Sequence, residues 1–220
     1  MARLRLVVLA SGRGSNLESL LRASKEGRMD AEVVLVASNK TDARALEVAR
    51  KAGVPTFVSP SKGRAQAEHE RELRPAIDAA RPDLVLLAGY MRILTPDFIR
   101  AYEGRLLNIH PALLPSFPGL DAQAQAHAAG VRIAGCTTHF VTEDVDAGPI
   151  VMQAAVAIPP GASVEEVRAR ILKAEHELYP RTVQLLATKK ASYQNGRVVF
   201  DSLAVSAAHG APLVSPEVRG

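Results

Sequence analysis

Short, nearly continuous apolar runs alternate with amphipathic stretches through the first half of the chain. The apolar runs lie at residues 4–10, 32–38, 56–58, 83–88 and 106–110. Runs of this length are typical of strands buried on both faces of a parallel sheet. Helices are predicted between them, starting near residue 17 and covering 43–51, 64–80 and the stretch up to residue 102. Alternating strands and helices predict an α/β fold with an open, doubly wound, mostly parallel sheet.

The pattern changes after residue 132. Two strands are predicted at 135–141 and 150–156, and their long connection suits an antiparallel pair in the C-terminal half. The capping box Ser163-x-x-Glu166 predicts a long helix to about residue 190. Asn195-Gly196 predicts a hairpin, and the last ~20 residues, rich in Ala, Ser, Gly and Pro, are expected to be poorly ordered.

An amide and an imidazole stand two residues apart at the end of the run 106–110. Asn108 and His110 leave the same face of a strand that Pro111 ends. An amide donates to an oxygen that is becoming negative, and an imidazole moves a proton near neutral pH, so the pair suits acyl transfer. The alternative is a turn cap beside a structural histidine.

A glycine-rich turn, Ser11-Gly12-Arg13-Gly14-Ser15-Asn16, separates the first strand from the first helix. Free N–H groups and the positive end of a helix dipole favour an anion there. The dinucleotide fingerprint lacks its third glycine and no Walker lysine follows, so one phosphate group is expected and not NAD or ATP. The alternative is that Ser15 or Asn16 caps the helix.

Three acids, Glu143, Asp144 and Asp146, lie in the connection 142–149. Their irregular spacing and the lack of further ligands argue against a metal site. We interpret Asp146 as the carboxylate that orients a partner, while the other two meet solvent.

Composition narrows the classes of partner. Aromatic residues make up 4% of the chain and Trp is absent, which argues against base-stacking nucleic-acid surfaces. A net charge of +4 and a pI near 9.4 favour small anionic ligands. The charges are scattered through the helices, and those of the helix at 64–80 are interpreted as a solvated face: Glu68, Glu70, Arg71 and Arg74.

A single cysteine, Cys136, excludes an internal disulfide and favours a reducing compartment. It lies in an apolar stretch, so we interpret it as a buried hydrophobe. No apolar run approaches the ~18 residues of a membrane helix, and the N-terminus shows no signal peptide. A cytoplasmic protein without a membrane partner is therefore expected.

Six motifs in this order resemble those of the phosphoribosylglycinamide formyltransferases, over about residues 4–190. They are Ser11-Gly-Arg-Gly-Ser-Asn16, Ser38-Asn39-Lys40, Leu87-Ala-Gly-Tyr-Met-Arg-Ile-Leu94, Leu106-Leu-Asn-Ile-His-Pro-Ala-Leu-Leu-Pro115, His139-Phe-Val-Thr-Glu-Asp-Val-Asp-Ala-Gly-Pro149 and Glu175-His176. The resemblance implies a Rossmann-like formyltransferase fold as one domain, 1–190. Residues 1–100 would form its phosphate-binding half and 101–190 its catalytic and folate half, followed by a hairpin and tail over 191–220.

The resemblance also implies transfer of the formyl group of 10-formyltetrahydrofolate, as co-substrate, to the amine of glycinamide ribotide in purine synthesis. No metal is implied, and the partners are small molecules, with a monomer or homodimer. The implied catalytic residues are Asn108, His110 and Asp146. The implied ribotide-binding residues are Gly12, Arg13, Gly14, Ser15, Asn16 and Glu175. The implied folate-binding residues are Arg64, Met91, Arg92, Ile93, Leu94, Asn108, Thr142, Glu143, Asp144, Val145 and Asp146.

The chain departs from the family pattern at several positions. Asp121 and Gln123 stand where many relatives have histidines, so neither has an assigned role. A folate-contacting arginine of relatives falls at Gln66 by ungapped counting, and Arg64 is the nearest arginine. His139 is interpreted as supporting the connection 142–149, and His69, His127, His176 and His209 as surface or packing residues.

Three alternatives remain. Methionyl-tRNA formyltransferases and formyl-folate hydrolases share this catalytic half, but the first carries a C-terminal RNA-binding domain and the second an N-terminal regulatory domain. With the sheet starting at Leu4 and the last long helix ending near Lys190, neither domain is expected. A non-catalytic module that binds a sugar phosphate explains the glycine-rich turn but leaves Asn108, His110 and Asp146 without a task.

Overall fold

A computed structural model describes residues 3–201. Seven strands form one sheet in the order β3-β2-β1-β4-β5-β6-β7, and β8 and β9 form a separate hairpin. The strands are β1 Leu4–Leu9, β2 Ala31–Ser38, β3 Thr56–Val58, β4 Leu84–Leu87, β5 Leu106–His110, β6 Ile133–Phe140, β7 Ile150–Ala157, β8 Ala191–Gln194 and β9 Arg197–Phe200. The helices are α1 Ser15–Lys25, α2 Arg44–Lys51, α3 Gln66–Ala79, α4 Pro96–Ala101, α5 Ala122–Ala128 and α6 Val164–Ala187.

The first five strands are parallel, as predicted from their apolar runs. β5 pairs in parallel with β4 and antiparallel with β6, and β6 pairs antiparallel with β7, which confirms the antiparallel pair. The chain leaves β1 toward β2 on one side and later returns as β4 on the other. Ligands of open α/β sheets bind at such a switch point, beyond the carboxyl ends of the strands.

Both faces of the sheet are buried, which explains the continuous apolar runs. On one face Leu6 and Val8 of β1 pack in a cluster with residues of α1 and α6, including Leu17 and Tyr179. On the other face Val7 and Leu9 pack in a cluster with residues of α3 and α4. Since a strand with two buried faces has no solvent-facing positions, its sequence shows no alternation.

The C-terminal part is tied to this core. The predicted capping box is present at the start of α6, with Ser163 and Glu166 each bonding the other's backbone. The hairpin at Asn195-Gly196 forms as predicted, and the ring of Tyr193 lies 5.1 Å from that of Phe140. The prediction for the last 20 or so residues lies outside the described residues from 202 onward.

Two features differ from the sequence-based expectations. The prediction that Glu70 lies on a solvated face is wrong, because its carboxylate is 5% exposed and accepts hydrogen bonds from the backbone and hydroxyl of Thr95. The short helix α5 was not predicted, since its alternating Ala and Gln residues show no apolar period.

Candidate active site

A cavity of about 510 Å³ opens at the carboxyl ends of β4 and β5. Its lining comes from Ile99 and from within residues 87–94, 108–111, 119–123 and 139–146. Four large apolar side chains around it are exposed, namely Met91 at 63%, Ile93 at 67%, Leu120 at 82% and Val145 at 58%. Exposed apolar side chains grouped around a cavity mark a binding site for a ligand with apolar surface.

His110 is the last residue of β5, and both of its ring nitrogens face oxygen acceptors. Nε2–H donates to the carbonyl oxygen of Phe117 at 2.9 Å. Nδ1 lies 3.3 Å from Oδ2 of Asp146, which is itself only 11% exposed. Because a carbonyl and a carboxylate only accept, each ring nitrogen lies where an N–H would have an acceptor.

Asp146 is held by a second contact. Its Oδ2 also accepts from the backbone N–H of Gly119 at 2.8 Å, so one carboxylate oxygen joins the loop after β5 to the β6–β7 connection. Asp146 has φ of 53°, a left-handed conformation that costs energy for a residue with a side chain. Such strain is common where a side chain must be aimed.

Asn108 is oriented by a buried histidine. His139 donates from Nδ1–H to the carbonyl oxygen of Phe140 at 3.1 Å, and burial lowers its pKa, which favours the neutral ring. Its Nε2 is then an acceptor and lies 3.2 Å from Nδ2 of Asn108. The contact directs the Asn108 amide N–H₂ group and fits the interpretation of His139 as a supporting residue.

Asn108, His110 and Asp146, which the resemblance implied to be catalytic, all line the cavity. Nε2 of His139 also lies 3.7 Å from Oδ1 of Asp146, so His110 and His139 flank one carboxylate. β5 ends at His110, as predicted from Pro111. Asn108 and His110 supply N–H donors, and His110 with Asp146 can hold or move a proton. These are the groups that an acyl-transfer site needs.

The glycine-rich turn forms the junction of β1 and α1. Gly14 is the N-cap with φ of 80°, and a Cβ there would lie 2.7 Å from Cα of Ala45, so a side chain would need a strained and crowded backbone. The first helical bond runs from Glu18 N–H to Gly14, which leaves the N–H groups of residues 15–17 ahead of the helical ladder. The alternative that Ser15 or Asn16 caps the helix is wrong, because no side chain does so.

Asn16 instead joins the turn to α6. Its Nδ2 donates to Oε2 of Glu175 at 2.7 Å, and its Oδ1 is buried without a partner in the described part of the chain. Burial raises the pKa of Glu175 to about 7, against the lowering effect of the Asn16 bond. Two of the residues that the resemblance assigned to the ribotide, Asn16 of α1 and Glu175 of α6, are thus in direct contact.

Glu175→Gln should make stability less dependent on pH. A carboxyl whose pKa rises from 4.5 to about 7 on folding stabilises the fold below pH 4.5, and this contribution is lost as pH rises to 7. The variant should therefore match wild type near pH 4.5 and exceed it by about 3 kcal/mol at pH 8, as an upper bound. Urea denaturation at several pH values measures this.

The matched control is Glu177→Gln, which removes an exposed carboxylate from the same helix. Its curve of unfolding free energy against pH should run parallel to that of wild type. Parallel curves for Glu175→Gln and wild type would contradict the raised pKa.

The residues implied to bind folate divide into three groups. Met91, Arg92, Ile93 and Leu94 line the cavity, as do Thr142, Glu143, Val145 and Asp146. Asp144 faces a separate depression beside the hairpin. The guanidinium of Arg64 is outside the lining and pairs with Glu68 at 3.0 Å and Glu72 at 2.6 Å.

Residues 12–16 of the glycine-rich turn lie outside the cavity and are joined to it only indirectly. None of them lines the 510 Å³ cavity, but Ser11, which precedes them, accepts a hydrogen bond from the backbone of Met91 at 2.7 Å. The turn and the cavity are therefore adjacent and joined by this contact.

Sequence reasoning missed several lining residues. Asp121 and Gln123, left without a role, line the cavity together with Tyr90 and Leu120. Asp121 is also paired with Arg168 of α6 at 2.8 Å. The departure from the family's histidines was the signal at 121 and 123, whereas nothing in the sequence marks the backbone carbonyl of Phe117.

Other classes of site leave few traces in the described residues. Within 3–201, no group of three or more His, Cys, Asp or Glu side chains is placed to hold a metal ion. None of the helices in that range has both the length and the apolar character needed to span a membrane. Cys136 is buried, as expected, and burial raises the pKa of its thiol to about 12.

Comparison with known proteins places these motifs in context. The family model described as "Formyl transferase" matches residues 4–183. Phosphoribosylglycinamide formyltransferase of Escherichia coli is 44% identical over 183 residues, which are 83% of this chain and 86% of that protein. A crystal structure of glycinamide ribonucleotide transformylase 1 from Symbiobacterium toebii aligns with a TM-score of 0.86 at 44% identity, over 90% of this chain and 94% of that one.

Some relatives are much longer. The trifunctional purine biosynthetic protein adenosine-3 of Bos taurus is 43% identical over 198 residues, or 89% of this chain. The chain spans about a fifth of that protein's length. The similarity is thus to one part of a larger polypeptide.

Proposed function

The chain belongs to the formyl transferase family, and from this we propose that it transfers the formyl group of 10-formyltetrahydrofolate to the amine of 5-phosphoribosylglycinamide. The products are formylglycinamide ribotide and tetrahydrofolate, a step of purine biosynthesis. The observation that carries the proposal is the grouping of Asn108, His110 and Asp146 in one cavity.

In the proposed reaction the amine nitrogen of the ribotide bonds to the formyl carbon, and the bond from that carbon to the folate nitrogen breaks. The amine loses one proton and the departing nitrogen gains one, so charge and atoms balance. After the new carbon–nitrogen bond has formed and before the old one breaks, the formyl oxygen carries negative charge. Asn108 Nδ2–H and His110 Nε2–H donate to that oxygen, and such stabilisation is usually the largest single contribution to lowering the barrier.

Asp146 orients the imidazole of His110. Its carboxylate lies 3.3 Å from Nδ1, and the Gly119 N–H holds that carboxylate in place. The formyl oxygen would take the place of the Phe117 carbonyl as the acceptor of Nε2–H. His110 is then the group that holds or moves the proton.

The cavity fits the proposed co-substrate, which supplies the activated formyl group. Its exposed apolar side chains suit a flat ring system, and residues 91–94 line the same cavity. The glycine-rich turn and Glu175 suit the phosphate and the ribose hydroxyls of the ribotide. Catalysis through these residues alone involves no covalent enzyme intermediate.

A spectrophotometric assay follows the formation of tetrahydrofolate from 10-formyltetrahydrofolate, with and without the ribotide. Turnover that requires the ribotide is expected. Turnover without it would instead indicate a hydrolase, and binding of the ribotide without turnover would favour a sugar-phosphate-binding module.

We further propose that the protein is cytoplasmic and a monomer or homodimer. Size-exclusion chromatography with light scattering tests the oligomeric state.

A further inference from the structure

The motif Ser38-Asn39-Lys40 is absent from the proposed site. Asn39 follows β2, is 5% exposed and does not line the cavity. A buried amide costs free energy unless its polar atoms are bonded, so its partners indicate its task.

Those partners lie in two different loops. Oδ1 of Asn39 accepts from the hydroxyl of Ser11 at 2.5 Å, and its Nδ2 donates to Oγ of Ser61 at 3.0 Å. Ser11 also accepts from the backbone N–H of Met91 at 2.7 Å. The carbonyl of Ser61 accepts from Nη1 of Arg92 at 3.1 Å. These hydrogen bonds therefore link Met91 to Arg92 through Ser11, Asn39 and Ser61.

The direction of these bonds is determined by the proton of one hydroxyl. Ser11 has a single O–H, and the Asn39 carbonyl oxygen takes it. The lone pairs of Ser11 Oγ then point toward the N–H of Met91. Without Asn39 the hydroxyl is free to rotate, and the Met91 N–H loses a defined acceptor.

We propose that Ser11 and Asn39 are positioning residues that fix the backbone of residues 91–94 against the glycine-rich turn. This inference rests on the proposed function. Ser11 directly precedes residues 12–16, which are assigned to the ribotide, and Met91 begins the segment assigned to the folate ring. The Ser11 hydroxyl thus joins the two proposed substrate-binding segments, beside the backbone bond from Ser11 N–H to the Gly89 carbonyl oxygen at 3.0 Å.

Ser11→Ala and Asn39→Ala should each raise the KM for 10-formyltetrahydrofolate about tenfold, the effect of losing one buried hydrogen bond. The KM for the ribotide should change by less than about twofold, since residues 12–16 keep their own contacts. Because Asn39 bonds both Ser11 and Ser61, the double variant should be no worse than Asn39→Ala alone.

Ser38→Ala is the matched control. Ser38 is the buried neighbour of Asn39, and its hydroxyl accepts the local Lys40 N–H at 3.1 Å, so both KM values should stay at wild type. Equal rises of the two KM values, or additive effects in the double variant, would overturn the proposal while leaving the function intact. Wild-type protein without folate-dependent turnover would overturn both.

Discussion

His110→Ala is expected to lower kcat by about 10²–10⁴-fold, the usual contribution of a positioned proton-transfer group. The variant loses the Nε2–H donor to the developing oxyanion and the ring that pairs with Asp146 at 3.3 Å. Steady-state assays at saturating folate and ribotide measure this. The KM for folate should change less, because the apolar side chains around the cavity are untouched.

The control for this variant is His127→Ala. His127 is exposed on α5, and its Nε2–H donates to the Ala162 carbonyl oxygen at 2.9 Å, away from the cavity. Its kcat should stay within about twofold of wild type, as for surface substitutions in general. A His110→Ala enzyme within threefold of wild type would remove His110 from the proton chemistry.

Gly148→Ala is expected to destabilise the fold by several kcal/mol, about 2–4, and to lower kcat/KM about 100-fold. An added Cβ would lie 1.8 Å from the backbone carbonyl oxygen of Phe140 and 3.2 Å from Cγ2 of Thr142. The backbone must therefore move, and Asp146 lies only two residues away. A displacement near 1 Å at a reacting group is enough for a loss of this size.

Urea denaturation and the formyl-transfer assay measure the two effects separately. Ala147→Ser is the matched control, because it adds one heavy atom at the neighbouring, exposed position of the same connection. Its stability and activity should match wild type. If Gly148→Ala keeps full activity, the aim of the Asp146 carboxylate does not depend on the backbone at 148.

The parallel half of the fold could be predicted because burial on both faces leaves a direct signal. The strand at 56–58 and the helix start at Ser163 have the predicted bounds, since an apolar run and a capping box are local features. Glu70 could not be placed, because its burial depends on the backbone of Thr95, 25 residues away. Charged residues are rarely buried unless they are paired, so a sequence alone predicts exposure for Glu70.

Much of the candidate site was predictable and part was not. Asn108 and His110 share one strand end, and the antiparallel β5–β6–β7 arrangement brings the connection with Asp146 beside them. Family motifs named these residues, but their contacts with the backbone of Phe117 and Gly119 have no sequence signal. Every residue has a carbonyl and nearly every one an N–H, so composition cannot show which are used.

The two pairing directions of β5 have a consequence for redesign. Its parallel neighbours lead to the glycine-rich turn, while its antiparallel neighbours lead to the connection with Asp146. The turn proposed to bind the phosphate and the carboxylate proposed to aim His110 therefore lie on opposite sides of β5 in the sheet. An engineer wishing to direct formyl groups to another amine can rebuild residues 12–16 and retain Ser11, Asn108, His110 and Asp146.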